Sequence, residues 1–531
     1  MVNRLLSLSV FAFTLQFSQA QSTIDVLHYK FEIALSDSSD SVKGNTFVTL
    51  NFTRPSDRFW LNLASVNSKG QGMSVYRVTE NDDDLDFSQR MDTLTIQLKN
   101  HASAGEKRTF QISYKGIPSD GLIISKNRYG ERTFFADNWP NRAHDWIPCK
   151  DEPDDKASFE FVVTAPSGYS VVSNGKLEEQ KTLPSNMTLT HWTEDVSLPT
   201  KIMVIGVARF AIKEFADGPP HIAISAWTYP RDSVVGFRRY SVAAPIVKFF
   251  SEYIGPYPYN KLANVQSTTM FGGMENASAI FYDEESAEGP RSFEDVIAHE
   301  IAHQWFGDMA SEKSFPHLWL SEGFATYFEN MYVGMKYGED SMKKRLLNDR
   351  EQVINFAKRS SRPVVDSVSP LMGLLNANSY MKGGWILYMM KIEMGDSLFQ
   401  KFIRTYYDRF KGSNADTDDL ERIAEEVSNK DWRQFFKQWL YTPGIPQLDL
   451  RWQYDEKNKT VSITVTQLQK QQPFQFPLQV GLRGSNLKVV TLNISKQSET
   501  FSVPSNPVVT NIEADPNTLL LFESRVEKIN P

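Results

Sequence analysis

Twice along this chain the spacing of apolar residues changes period, and those two changes limit what it can fold into. From about residue 22 to 215, apolar and β-branched residues recur at alternate positions, as in 29–35, 46–52, 93–98 and 109–114. A period of two puts successive side chains on opposite faces of a sheet, and the Gly, Asn, Asp and Ser clusters between the runs read as turns. Near Pro219 the texture shifts, and helical spacing follows over 234–253, 292–306, 322–333, 342–356, 380–392 and 398–410. The run Tyr441-Thr442-Pro443-Gly444-Ile445-Pro446 then breaks the helical pattern, and alternation resumes in 461–465. The expected architecture is multidomain α+β. An antiparallel β domain spans 21–215, a mostly helical domain 216–442, and a small β-sandwich 443–531. With 531 residues, 41% of them hydrophobic, the chain can bury several cores.

Composition narrows the chemistry. A net charge of -7 gives no global attraction to nucleic acid, and no such partner is expected. The single cysteine, Cys149, excludes an intrachain disulfide and any zinc module built on two or more cysteines. A metal in this chain must therefore be held by imidazoles and carboxylates. The first twenty residues differ in kind: Arg4 supplies a positive region, 5–17 are mainly apolar, and Ser18-Gln19-Ala20 offers a cleavage site. This pattern predicts a secretory signal peptide over 1–20, and hence a secreted or periplasmic protein. No later run approaches the roughly 20 apolar residues that cross a bilayer, so no span is expected after cleavage.

The motif that carries chemistry is His299-Glu300-Ile301-Ala302-His303. Histidines four apart stand one turn above each other on a helix, so both imidazoles can reach one ion, and the spacing suits zinc. Glu300, rotated by about 100° from His299, stands beside the metal, where it can take a proton from water. Val296, Ile297, Ile301, Trp305 and Phe306 bury this helix, and an unpaired His-Glu-His cluster in a domain interior would be costly. Glu322 opens the next helical pattern and completes two histidines and a carboxylate, the open ligand set of catalytic zinc. His317, in the connecting loop, is the competing third ligand.

The motif, the eighteen residues separating it from Glu322, and the segment Trp319-Leu320-Ser321-Glu322-Gly323-Phe324-Ala325 resemble the gluzincin zinc aminopeptidases, the aminopeptidase N and leukotriene hydrolase type. Gly272-Gly273-Met274-Glu275-Asn276 is similar to that family's exopeptidase motif, and Tyr380-Met381-Lys382-Gly383 to its catalytic-tyrosine segment. The resemblance implies a thermolysin-like catalytic domain holding one Zn2+ and acting on peptides with a free N-terminus. It implies that Glu300 is the base and that Tyr380 donates to the carbonyl oxygen of the scissile bond. Glu275 would pair with the substrate's ammonium, with Gly272, Gly273 and Met274 lining the peptide's path. Many relatives also place a glutamine in the N-terminal domain as a second contact to the amine. Here the corresponding run is Phe135-Ala136-Asp137-Asn138-Trp139-Pro140, which leaves Asp137 or Asn138 as the substitute. An epoxide hydrolase of the leukotriene-hydrolase type would use the same zinc, and a non-catalytic peptide-binding ectodomain could share the scaffold.

Overall fold

The computed structural model describes residues 22–288, 293–506 and 508–529. The expected signal segment 1–20 lies outside the described residues.

Alternating sequence becomes sheet in the first domain. Val42–Phe52 buries every second residue, with Val48, Leu50 and Phe52 fully inside. It pairs antiparallel with Ile24–Ala34 on one side and Lys107–Ile117 on the other, within an eight-stranded sheet. One pair departs from the expected antiparallel pattern: Ile24–Ala34 runs parallel to Lys156–Pro166. The chain leaves the sheet after its early strands and re-enters from the same end, and parallel neighbours require such a long connection. A second, four-stranded sheet contains Leu122–Lys126, Arg132–Ala136, Ser170–Ser173 and Ile205–Ala208. Its strand Arg132–Ala136 delivers the run 137–139 to the domain's inner edge.

The middle domain opens with a five-stranded mixed sheet of Ala211–Phe215, Ala223–Thr228, Lys261–Gln266, Ala279–Tyr282 and Gly273–Met274. Because Ala211–Phe215 pairs with Ala223–Thr228, the sheets change at about Phe210, a few residues before the division drawn from sequence at 215. The helix anticipated over 234–253 is two, Ser233–Tyr240 and Ala243–Tyr253. Ser241 Oγ bonds back to Arg238 O at 2.8 Å where they separate, an alternative to continuing the ladder. The C-terminal region is a sandwich of a four-stranded and a three-stranded sheet, with Val461, Ile463, Val465, Leu478, Val480 and Leu482 buried.

Two lysines, Lys201 buried and Lys156 half-buried, fix the first domain against the second. Lys201 Nζ lies 2.5 Å from Glu312 Oε1, with both side chains inaccessible. Lys156 Nζ donates to the carbonyls of Asp308 (3.2 Å), Met309 (2.9 Å) and Ser413 (2.9 Å). Removing one member of such a buried pair costs about 3–5 kcal/mol, because the partner charge is left without compensation. No helix among the described residues is long and apolar enough to cross a membrane.

Candidate metal centre

The motif histidines sit near the end of the helix Glu294–His303, and Glu322 lies in the first turn of the helix Trp319–Tyr337. The connection between these helices turns at Gly307, whose φ of +115° is open to glycine. A Cβ there would fall 2.2 Å from Ser321 Oγ, so the absent side chain also allows the second helix to close on the first. Glu322 is thereby brought onto the two imidazoles. Its Oε2 is 3.3 Å from His299 Nε2 and 3.3 Å from His303 Nε2.

These separations fit a metal. Two ligands about 2.05 Å from zinc at the tetrahedral angle stand about 3.3 Å apart. The three donor atoms lie within 4.8 Å of one another, and His303 and Glu322 are 1% and 4% exposed. Burial alone would push Glu322 upward, but the two imidazoles outweigh it and hold the carboxyl well below the usual range. The donor set is therefore one that presents a carboxylate and two ring nitrogens to a common point. His317, the competing ligand, is elsewhere: its Nδ1 is 2.8 Å from Thr417 Oγ1 and accepts from Thr417 N at 3.2 Å.

Groups not anticipated from the sequence orient the two imidazoles. His299 Nδ1 lies 3.1 Å from Glu329 Oε2, and His303 Nδ1 lies 3.0 Å from Ser321 Oγ and 3.1 Å from Phe306 O. Such partners set the ring orientation and free Nε2 for a metal. Arg345 in turn grips Glu329 and bonds Asn330 Oδ1 at 2.8 Å and Asp295 Oδ2 at 3.2 Å. Glu329 follows Glu322 by two helical turns on the same face, a spacing that could have revealed it.

Glu300 and Glu275 face the same space. Together with His303 they form a second group whose donor atoms lie within 4.8 Å of one another. Burial lifts the Glu300 carboxyl to about 7 against the opposing charges of His299 and His303. Burial also raises Glu275, opposed by His303 and Lys201 and assisted by Glu322. Gln304 secures the segment: its Nε2 donates to Glu275 O at 2.7 Å, and its Oε1 accepts from Ser278 N at 2.7 Å. Gly273, in an edge strand, lies against the Glu300 carboxylate, where a built Cβ would stand 2.3 Å from Oε1.

Tyr380 arrives by a different device. A π-helical turn, Asn378–Lys382, precedes the helix Gly383–Met394, where an unbroken helix over 380–392 was expected. Lys382 N bonds Ala377 O at 2.8 Å, and Asn378 Nδ2 donates to Arg362 O at 2.9 Å. Lys382 Nζ reaches Gly444 O at 2.8 Å. This wider turn stacks the Tyr380 ring on His299, centroids 5.9 Å apart at 15°.

One cleft of about 290 Å³ is lined by all nine sequence-nominated residues, together with Trp139, Phe271, Val296, Glu329 and Leu375. Asp137 and Asn138 are not among them, and the substitution suggested from sequence is corrected by their bonding. Asp137 is fully buried and binds Arg142 Nη2 (2.7 Å), Thr269 Oγ1 (2.9 Å) and Met270 N (3.2 Å). Asn138 donates to Thr200 O (3.2 Å) and Met203 O (2.7 Å) and accepts from Trp146 Nε1 (2.9 Å).

The profile of the Peptidase family M1 domain matches residues 239–439, and that of the Peptidase M1 N-terminal domain matches 26–202. Glutamyl aminopeptidase of Sus scrofa is 24% identical over 530 residues, covering 91% of this chain and 54% of that protein. Probable aminopeptidase 2 of Sulfurisphaera tokodaii is 29% identical over 355 residues, covering 63% of this chain and 45% of that protein. Aminopeptidase M1-C of Oryza sativa subsp. japonica is 25% identical over 450 residues, covering 80% and 50%. The chain thus spans about half the length of the curated relatives it matches. With both domain profiles matched in consecutive stretches, and the helix pair of the metal centre inside the second, the chain belongs to peptidase family M1.

Proposed function

We propose that this chain is a zinc-dependent aminopeptidase that removes the first residue from peptides, using His299, His303 and Glu322 as ligands. A zinc ion bound there supplies Lewis-acid polarisation and lowers the pKa of a water toward about 7. Glu300 takes the proton of the attacking water and passes it to the leaving amine. Tyr380 donates its phenolic hydrogen to the scissile carbonyl oxygen as charge develops. Burial, then the Glu322 and Glu275 charges, push its pKa well upward, so it stays a donor at neutral pH. One such donor is worth about 2.7–4 kcal/mol in the transition state.

The observation that carries the exopeptidase reading is Glu275. It is 5% exposed and shares a pocket with Glu300 and His303. Two carboxylates this close repel, and a substrate ammonium beside Glu275 relieves the repulsion while fixing the cut one residue in. We also propose export, from the segment 1–20. Mass analysis of the protein secreted on expression checks that point, with a mature N-terminus at Gln21 expected.

The test of function is hydrolysis of amino-acid amides by protein prepared without chelator. Activity is expected to disappear on chelation and to return with one equivalent of zinc per chain. Amide hydrolysis undiminished by full metal removal would refute the proposal.

A further inference from the structure

The turn that carries Tyr380 is held from two directions. On one side Gly383 meets Gly323, the residue after Glu322, so closely that a Cβ built on either would fall 2.8 Å from the Cα of the other. On the other side Lys382 Nζ donates to Gly444 O at 2.8 Å. Gly444 lies between a second π turn, Lys437–Tyr441, and Gln447–Asp455, the first strand of the C-terminal sandwich. A parallel route joins the same two places. Asn378 Nδ2 donates to Arg362 O at 2.9 Å and Pro363 O at 3.1 Å, and Val364 N and Val365 N donate to Leu440 O at 3.0 and 3.1 Å. The junction is in turn fastened to the sandwich: Gln438 Nε2 donates to Gln475 O and its Oε1 accepts from Gln475 N, both at 2.9 Å, and Glu523 N donates to Pro446 O at 3.0 Å.

An ammonium is a costly group to place here. Lys382 is 0% exposed, and among the described residues no carboxylate pairs with it. Burial alone pulls its pKa down to about 7. A methionine of similar length would fill the same space without that desolvation, so packing does not account for the lysine, whereas the carbonyl it reaches does. We propose that Lys382 is a positioning residue for Tyr380, hanging the π turn on the Gly444 carbonyl so that the junction with the C-terminal sandwich sets where the phenolic oxygen points. This rests on the donor role given to Tyr380 in the proposed function. Such a donor must lie about 2.7–3.1 Å from the oxygen it serves, and a misplacement of about 1 Å can cost roughly 10²-fold. The metal ligands sit on other elements, Glu294–His303 and Trp319–Tyr337, so loss of the tie slows turnover and spares zinc.

A double-mutant cycle and a crystal structure test this. Zinc content, and kcat and KM for leucinamide, are measured for wild type, Lys382→Met, Tyr380→Phe and the double variant. Tyr380→Phe is expected to lower kcat by about 10²–10³-fold. Lys382→Met should lower it by about 10–100-fold, with KM within about twofold, zinc retained and the thermal midpoint not lowered. In the Tyr380→Phe background, Lys382→Met should change kcat by less than about twofold, because the group it aims is gone. Gly444→Ala is a second variant with the same expected pattern. Its methyl has room, the nearest atom being Gln471 Nε2 at 3.8 Å, but a φ of +77° strains the backbone that presents the carbonyl. In crystals of Lys382→Met, the Tyr380 ring should leave its 5.9 Å stack on His299 by about 1 Å or more. An unchanged kcat in Lys382→Met, an equal loss in both backgrounds, release of zinc, or a retained stack would overturn the positioning role. If the ring moves while Tyr380→Phe keeps full kcat, the tie stands and the donor role of Tyr380 fails. The ring position reads the same way if wild type cleaves no amide, and then the aminopeptidase reading fails alone.

Discussion

The two ends of the cleft are built in contrasting ways. The metal end comes from one short stretch, the helices Glu294–His303 and Trp319–Tyr337, whose own periodicity puts His299, His303, Glu322 and Glu329 on facing surfaces. The rest of the lining, with the proposed amine anchor Glu275, is assembled from remote pieces: Trp139 from the first domain, 271–275 from the edge of the second domain's sheet, and Leu375 from the loop before Tyr380. One end depends on local helix geometry, and the other on how two domains dock through Lys201–Glu312 and the carbonyls held by Lys156. The contrast separates their duties. Changes at the metal end should affect every substrate alike, whereas changes at the amine end should affect substrates according to what their first residue offers.

The largest effect belongs to the base. Glu300→Gln is expected to retain zinc and lose about 10²–10⁴-fold in kcat on every amide, read by steady-state kinetics beside metal analysis. Loss of zinc in this variant would mean that Glu300 is part of the metal set. A smaller effect is expected one layer out. Glu329→Gln removes the carboxylate on His299 Nδ1 and should weaken zinc affinity by roughly 10–100-fold, measured by competition with a chelator. At the amine end, Glu275→Ala is expected to cost about 1.5 kcal/mol of binding, near tenfold in KM for free-amine substrates. An unchanged KM with a fall in kcat for all substrates would place Glu275 with the metal end and erase the contrast.

The same contrast explains how much was legible in the sequence. The His-x-x-x-His spacing is an i, i+4 relation and needs only the helix to be realised, so the pair was readable. The multidomain α+β class was readable for the same reason, because alternation and helical spacing are local properties. Asp137 looked available as an amine contact only because its bond to Arg142 cannot be read from composition or period. Trp139 stood inside the run read for an amine contact, but its neighbours Asp137 and Asn138 were nominated in its place. It reaches the cleft through a sheet edge and a domain junction, both set by contacts between residues far apart in the chain. The π turn at Asn378–Lys382 was equally hidden, since its apolar pattern continues into an ordinary helix and only the bonds from Asn378 and Lys382 to other segments widen it.

The most direct test of the central claim is product analysis by mass spectrometry of one peptide with a free N-terminus and its N-acetylated twin, each incubated with zinc-loaded protein. Stepwise loss of single residues from the free peptide, with the acetylated twin intact, is the result predicted by a zinc centre paired with an amine anchor at Glu275. Internal cleavage, or trimming of both peptides at the same rate, would contradict it.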